Sequence, residues 1–510
     1  MKKYSFKYKF FALMGFLSLA SCKKNFTELN TNPNAVSKPT PQYLFTKAEY
    51  DGIANMPVLL EGTMQYTTSF NDVAGFGSKY VQSEVTTTAS AFSNAYPNQI
   101  NELIEVINAV QGTPAQVNLL AEARIWKVYC FSRLTDLYGD IPYSQAAQGY
   151  ESSNFTPAYD AQKDIYANML SELDAAAQSL DASKTTYGSS DLLYSGNTVQ
   201  WKKFAYSLML RLGMRLTKID IASAQTWVTK AINGGVITQD ADIAKAPYIA
   251  TGLDINKNPL ALNLWNNDYI AQNGNTNQEG GKYQNVWINY LKQTNDPRLP
   301  ILSIVYNNGK PDTTTALQQG MPATLSAKPA NFGSLSEPNP KTLLLLNSPF
   351  LVFTPAESYY LLSEATLRGW YSGASAATLY QNGISAAMRQ WTLISVGASD
   401  GVISTAAINA YLANNQLNTA GTTDQQLQQI YTQFWVSIFP DAEEVYCSYR
   451  RTGYPALVPN DYPGNATNGQ IFRRFQYPVS EQNLNTVSYN AAVARQGPDL
   501  ITTRIWWDKQ

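Results

Sequence analysis

Two groups of residues in this 510-residue chain have the types and spacing to do chemistry. The first is aromatic and amide. Trp265, Asn266, Asn267, Asp268 and Tyr269 are consecutive, Tyr283 and Trp287 follow, and Phe76 and Tyr80 stand in an earlier stretch rich in Gly, Ser and Thr. Tyr and Trp join a flat apolar face to a polar edge, which suits a sugar ring as well as ordinary packing. Amides and carboxylates beside them bond hydroxyls. Aromatic residues on polar loops are better binding candidates than those on helical stripes, because loops carry function where stripes carry cores. The second group is the carboxylates Asp268 and Asp296, the residue type a two-carboxylate glycosidase uses without histidine. Asp296 lies in Asn-Asp-Pro-Arg, a turn-like context, and no motif ties either acid to a partner.

Composition removes other chemistries. Histidine is absent, which excludes Ser-His-Asp and Cys-His catalysis, histidine metal sites and histidine pH switching. No spacing signals a metal, and no cofactor motif appears. The formal charge is −1; residues 1–21 hold four of the 37 basic residues and none of the 38 acids, so the remainder carries −5. Nucleic acid is not expected as a partner, since phosphate binding needs a basic surface.

The elements that must position these residues are helical. Over residues 119–143, Leu119, Ala123, Trp126, Cys130, Leu134 and Leu137 recur at intervals of three and four and draw one stripe along a helix of about five turns. Glu122, Arg124, Lys127, Arg133 and Asp136 lie between them and predict a charged outer surface. Gly139 and Pro142 end the helix. Similar periodicity covers 101–110, 160–180, 356–370, 376–391, 425–438 and 441–451, and Asn197 or Thr198 can cap a helix carrying Trp201, Phe204, Leu208 and Leu212. Lys202, Lys203, Arg211 and Arg215 on that helix suggest a solvated face. The pair 356–391 has about the tetratricopeptide length, with Ala376 and Tyr380 at that repeat's A-x3-F element. Residues 70–97 are expected to be loop. Residues 240–350 form an irregular, loop-rich lobe with strand-like runs at 301–306 and 342–346. A loop region this long usually has a function. Cys130 and Cys447 sit on apolar stripes and are expected to be buried free thiols.

The first 42 residues are of another kind. Lysines 2, 3, 7 and 9 precede an apolar run over 10–19, the length of a signal-peptide core and too short to span a bilayer as a helix. Leu19-Ala20-Ser21-Cys22 then resembles a bacterial lipobox, which makes 1–21 a signal peptide, Cys22 the lipidated residue and 22–42, rich in Asn, Pro and Thr, a tether. Each buried acyl methylene contributes about 0.8 kcal/mol, so several chains hold a protein at a membrane. The body is 43–510, in which no segment has 18 consecutive apolar residues.

Taken in order, these segments resemble the SusD/RagB family of outer-membrane nutrient-binding lipoproteins of Bacteroidota, and within it the SusD-like second group. The series runs from Asn25-Phe26-Thr27-Glu28-Leu29-Asn30 through Ala121-Glu122-Ala123-Arg124, Tyr138-Gly139-Asp140-Ile141-Pro142 and Trp201-Lys202-Lys203-Phe204-Ala205. It continues through Asn295-Asp296-Pro297-Arg298 and Glu357-Ser358-Tyr359-Tyr360 to Tyr449-Arg450-Arg451-Thr452-Gly453 and Trp506-Trp507-Asp508-Lys509. The resemblance implies a mainly α fold of tetratricopeptide-like helical pairs with an irregular, ligand-facing lobe. It also implies a lid-like position on a SusC-like TonB-dependent transporter, at the cell outer membrane and surface-exposed. Ligands in the family are mostly glycans, though some members take peptides, and no catalytic centre is shared. Capture without catalysis is therefore the first expectation. On it, Trp265, Tyr269, Tyr283 and Trp287 stack on sugar, Asn266, Asn267 and Asp268 bind hydroxyls, and Phe76 and Tyr80 line the opposite side. A helical scaffold binding only protein partners is the second expectation, and a two-carboxylate glycosidase the third.

Overall fold

Helices follow one another along the chain as the apolar periodicity dictates, and most pack on their sequence neighbours. The computed structural model describes residues 40–71, 77–266 and 280–509, without the side chains of Tyr150, Trp265 and Asn266. The signal, Cys22 and nearly all of the tether lie outside the described residues. The principal helices are Pro41–Ala54 (α1), Asn101–Val110 (α2), Val117–Tyr138 (α3), Gln162–Ser179 (α4), Thr198–Arg215 (α5) and Ile221–Gly234 (α6). They continue with Asn285–Gln293 (α7), Pro355–Leu367 (α8), Ala376–Arg389 (α9), Thr423–Ile438 (α10) and Ala442–Thr452 (α11). Successive helices from α1 to α6 pack in a chain, α1 meeting α2 across intervening short helices and loops; α8 packs on α9 and α10, and α10 on α11. The fold is mainly α, a scaffold of tetratricopeptide-like pairs.

At the centre is α3, buried on nearly every side. Leu119, Ala123, Trp126, Cys130, Leu134 and Leu137 are all at most 2 % exposed. Burying each large apolar side chain contributes about 1.5–3 kcal/mol, which is why this stripe organises its neighbours. Gly139 stops the helix at φ +83°, a conformation that costs glycine little. Asn197 caps α5 by accepting hydrogen bonds from the Val199 and Gln200 amides. Cys130 and Cys447 are buried free thiols. The C-terminal segment packs back through Trp507, whose indole N–H donates to Asp136 at 2.9 Å.

The expected charged faces of α3 and α5 are solvated only in part: Lys202 is exposed and Arg124, Lys127 and Lys203 are half-buried, but the rest turn inward. Glu122, Asp136, Arg211 and Arg215 are buried, and Arg133 is nearly so. Arg133 pairs with Asp441 at 3.1 Å and Glu443 at 2.8 Å; Arg211 meets Glu357 at 2.6 Å and Glu444 at 3.2 Å; Arg215 meets Glu444 at 2.6 Å and Asp136 at 3.4 Å. The network joins α3, α5, α8 and α11, so these charges face partners far away in sequence. Carboxylates outnumber guanidinium groups within it. Burial raises Glu443 to about 8 and Glu357 to about 7, against the opposing pull of Arg133 and Arg211 respectively. Such groups fix geometry more than they add net stability, because desolvation offsets the attraction.

Residues 82–100 are helical, not loop: Gln82–Thr87, Ala89–Ala95 and a π turn over Tyr96–Ile100 lead into α2. The Ser and Thr residues there are compatible with helix because Thr86, Thr87, Thr88 and Ser90 donate back to carbonyls three residues earlier, at 2.7 to 2.8 Å. Val85, Ala91, Phe92 and Ala95 form the buried side.

The lobe over 240–350 is built of short elements. Ser303–Asn307 pairs with both Lys310–Asp312 and Glu337–Pro338, Ala244–Ala246 pairs with Phe350–Phe353, and Thr67–Thr68 pairs with Lys282–Tyr283, all antiparallel. The second strand-like run, 342–346, is a turn followed by irregular chain. Asn339 begins it, accepting a hydrogen bond from the Lys341 amide at 3.0 Å.

Candidate binding site

The short sheet between Thr67–Thr68 and Lys282–Tyr283 brings together the two stretches that carry the candidate residues. Its register pairs Thr67 with Tyr283 and Thr68 with Lys282. In an antiparallel pair, the chain leaving Thr68 toward Phe70 and the chain arriving at Lys282 from Gly280 are therefore at the same end. One leads into the stretch that holds Phe76, and the other follows the stretch that holds Asn267, Asp268 and Tyr269. Those four residues lie outside the described residues. Trp265 and Asn266 end the helix Pro259–Asn266.

Tyr80, Tyr283 and Trp287 are not platforms. Tyr283 and Trp287 are 0 % exposed and Tyr80 is 1 %. Trp287 lies on the inner face of α7, 4.8 Å from the rings of both Tyr66 and Trp435 in edge-on contacts. The Tyr283 hydroxyl donates to the Leu302 carbonyl at 3.1 Å. Tyr80 packs its ring 4.8 Å from Phe472. Tyr283 opens the turn into α7 and Trp287 comes four residues later, so both fall on the side turned to the core. All three belong to the buried core.

The stems of the two stretches rest on a second, smaller apolar cluster of Phe70, Met321, Phe332 and Leu335. Beneath it, Lys282 and Glu337 form an ion pair with both side chains at 0 % exposure. Burial holds the Lys282 ammonium below its usual range, and Glu337 opposes this. The same ammonium lies 4.7 Å above the Phe332 ring. Lys79 donates to the Phe70 carbonyl at 2.8 Å and sits 4.3 Å above Tyr462, and the Asn460 amide donates to the Ser78 carbonyl at 2.6 Å. These anchors were not evident from sequence, because lysines in polar text carry no mark of burial.

Asp296 has no catalytic setting. Its carboxylate accepts from the Arg298 guanidinium at 2.6 and 2.8 Å, and both side chains are 0 % exposed. It closes a turn, as its context suggested. Among the described residues no group of three or more acidic, Cys or His side chains is placed to hold a metal ion, and no helix is long and apolar enough to cross a membrane.

Comparison with known proteins fits this arrangement. The SusD-like family model, described as starch-binding and associating with the outer membrane, matches residues 33–478. The chain belongs to the SusD-like family. Among solved structures, a chitin-binding protein is 30% identical, with a TM-score of 0.78 over 92% of this chain and 100% of its own. A Bacteroidetes SusD-like protein, AC2a, is 24% identical, with a TM-score of 0.79 over 92% of this chain and 100% of its own. A chitin-binding SusD homolog from Flavobacterium johnsoniae is 24% identical, with a TM-score of 0.71 over 92% and 98%. At that identity the last two relatives establish the SusD-like fold alone. Among curated proteins none matches.

Proposed function

We propose that this SusD-like protein is a lipid-anchored outer-membrane receptor. It captures a glycan at the end of the strand pair Thr67–Thr68 and Lys282–Tyr283 and passes it, without catalysis, to a SusC-like TonB-dependent transporter. The observation that carries the reading is the 30% identity, over nearly the whole chain, to a chitin-binding protein. The register that brings the two candidate stretches to one sheet end adds a location. Trp265, Tyr269 and Phe76 supply apolar ring faces, and Asn266, Asn267 and Asp268 supply hydroxyl partners. This is the combination by which small sites obtain affinity from a flat face and direction from a few polar groups. Lipid on Cys22 supplies the membrane attachment.

The test is calorimetric titration of the full-length chain in detergent against maltoheptaose, chitohexaose and a panel of peptides, with the sugar analysed afterwards by chromatography. Saturable binding of an intact oligosaccharide supports capture. Hydrolysis that depends on a carboxylate supports the glycosidase reading. Silence toward every soluble ligand, combined with co-purification with a barrel, supports a scaffold that binds only proteins.

A further inference from the structure

A second cleft, built from elements outside the strand-pair region, has the chemistry of a sugar site. It lies where the π turn Tyr96–Ile100 and the start of α2 face the loop after Ile141–Pro142 and the residues around Pro478, and its volume is about 450 Å³. Phe155 stands on its wall with 78 % of its surface exposed. Gly149 lies beneath that ring; a Cβ there would come within 3.1 Å of it. The glycine therefore allows the ring to settle against the backbone. Among the described residues Phe155 is the sole Phe with a largely exposed side chain.

The remaining walls are the half-buried ring of Tyr96 and the rings of Pro142 and Pro478. The Tyr96 hydroxyl is already committed to the Pro142 carbonyl at 2.8 Å, so this residue offers the cleft its ring. Polar groups stand at the edge. Glu481 accepts from the Tyr159 hydroxyl at 2.8 Å through one oxygen, and its other oxygen accepts no hydrogen bond among the described residues. The Asn101 side chain likewise makes none.

We infer that this cleft is an auxiliary binding site for a neutral oligosaccharide, with Phe155 as its stacking face and Glu481 and Asn101 as its hydroxyl partners. An exposed aromatic ring beside apolar walls matches the axial C–H face of a pyranose. A carboxylate acceptor beside an amide matches its hydroxyls, and the same carboxylate repels sulfated or uronic sugars. The volume falls within the range of about 300–1,000 Å³ typical of small-ligand sites. A protein partner needs a broader surface, about 800 Å² on each side. The inference rests on the capture reading but places a second sugar away from the strand pair, where it would hold a long chain at two points.

The experiment is calorimetric titration of the full-length chain with maltoheptaose and with chitohexaose, comparing the natural protein with Phe155→Ala, Phe155→Trp and Trp265→Ala. The expected result is two sites in the natural protein. Phe155→Ala weakens one of them at least tenfold without changing the thermal midpoint, Phe155→Trp keeps both, and Trp265→Ala weakens the other. A single site that Phe155→Ala leaves intact overturns this inference while capture stands. Absence of binding by the natural protein overturns capture and this site together. Unchanged glycan stoichiometry, with loss of a co-purifying membrane protein in Phe155→Ala, assigns the cleft to protein docking and overturns the sugar site.

Discussion

Replacing Glu122 by Gln should stabilise the protein at alkaline pH and leave it little changed in mild acid. Glu122 lies on α3 at 0 % exposure, and neither of its carboxylate oxygens has a hydrogen-bond partner. Glu49 is 0 % exposed and Asp191 1 %. Asp191 spends its oxygens on the Leu193, Tyr194 and Gly196 amides and the Trp201 indole. Burial, then the Asp191 charge, pushes Glu122 up to about 9 from the ordinary 4.5. Burial, then Asp191, also holds Glu49 well above its usual range. At neutral pH the folded chain therefore keeps a proton on Glu122 that the unfolded chain has lost. Stability must fall as pH rises from the unfolded value toward the folded one, by up to ~1.4 kcal/mol per pH unit for one proton. Between pH 6 and pH 8 this amounts to about 2.7 kcal/mol, an upper figure because the buried site can relax. A glutamine carries no such proton. Urea denaturation of both proteins at several pH values measures the difference. No histidine titrates in this range, and the other raised carboxyls, such as Glu443 at about 8 and Glu357 at about 7, titrate alike in both proteins, so the difference isolates Glu122. The expected result is a stability difference between Glu122→Gln and the natural protein that grows with pH. A constant difference across that range, or natural stability that rises with pH, would refute the reasoning.

Other expectations follow from burial and geometry. Trp287→Ala should cost about 3–5 kcal/mol in urea denaturation, the range for truncating a large core aromatic. Arg451→Ala should cost about 1.5–3 kcal/mol by the same assay, because it removes charge-assisted hydrogen bonds from the buried Glu364, which it holds at 2.7 Å and which keeps Arg368 as a second partner at 2.7 Å. Burial raises Glu364, but Arg451, with Arg368 and the Tyr431 hydroxyl, outweighs this and brings it to about 2, so its contribution is present above the unfolded value near 4.5 and is lost as pH falls from there toward 2. Gly77→Ala should lower the thermal midpoint strongly, since φ is +69° and the new Cβ would meet the Leu59 carbonyl oxygen at 1.7 Å.

The helical scaffold was legible because its signals are local. Apolar residues three and four apart drew α3 correctly, and Asn197 was one of the two caps offered for α5. What sequence could not supply was the destination of polar side chains. Arg133 and Asp136 look like a solvated face, yet their partners come from α11 and α5, and Glu122 faces the like charge of Asp191; periodicity cannot place these groups beside them. The Ser and Thr residues of 82–90 have the composition of a loop, whereas the hydroxyls of Thr86, Thr87, Thr88 and Ser90 bond back to carbonyls three residues earlier. Tyr283 and Trp287 resembled loop aromatics because the polar text around them hides the start of α7. The same limit applies to the candidate site: the resemblance named a lobe, but only the pairing of Thr67–Thr68 with Lys282–Tyr283 brings the two stretches to one sheet end.

The most direct test of capture compares Trp265→Ala with Trp287→Ala in oligosaccharide titration, with stability measured on the same samples. The account predicts that Trp265→Ala loses affinity at one site at least tenfold and keeps its thermal midpoint. Trp287→Ala should lower the midpoint yet, at a temperature where it remains folded, bind with nearly natural affinity. Sugar affinity lost through Trp287→Ala in a folded protein, and untouched by Trp265→Ala, would contradict it.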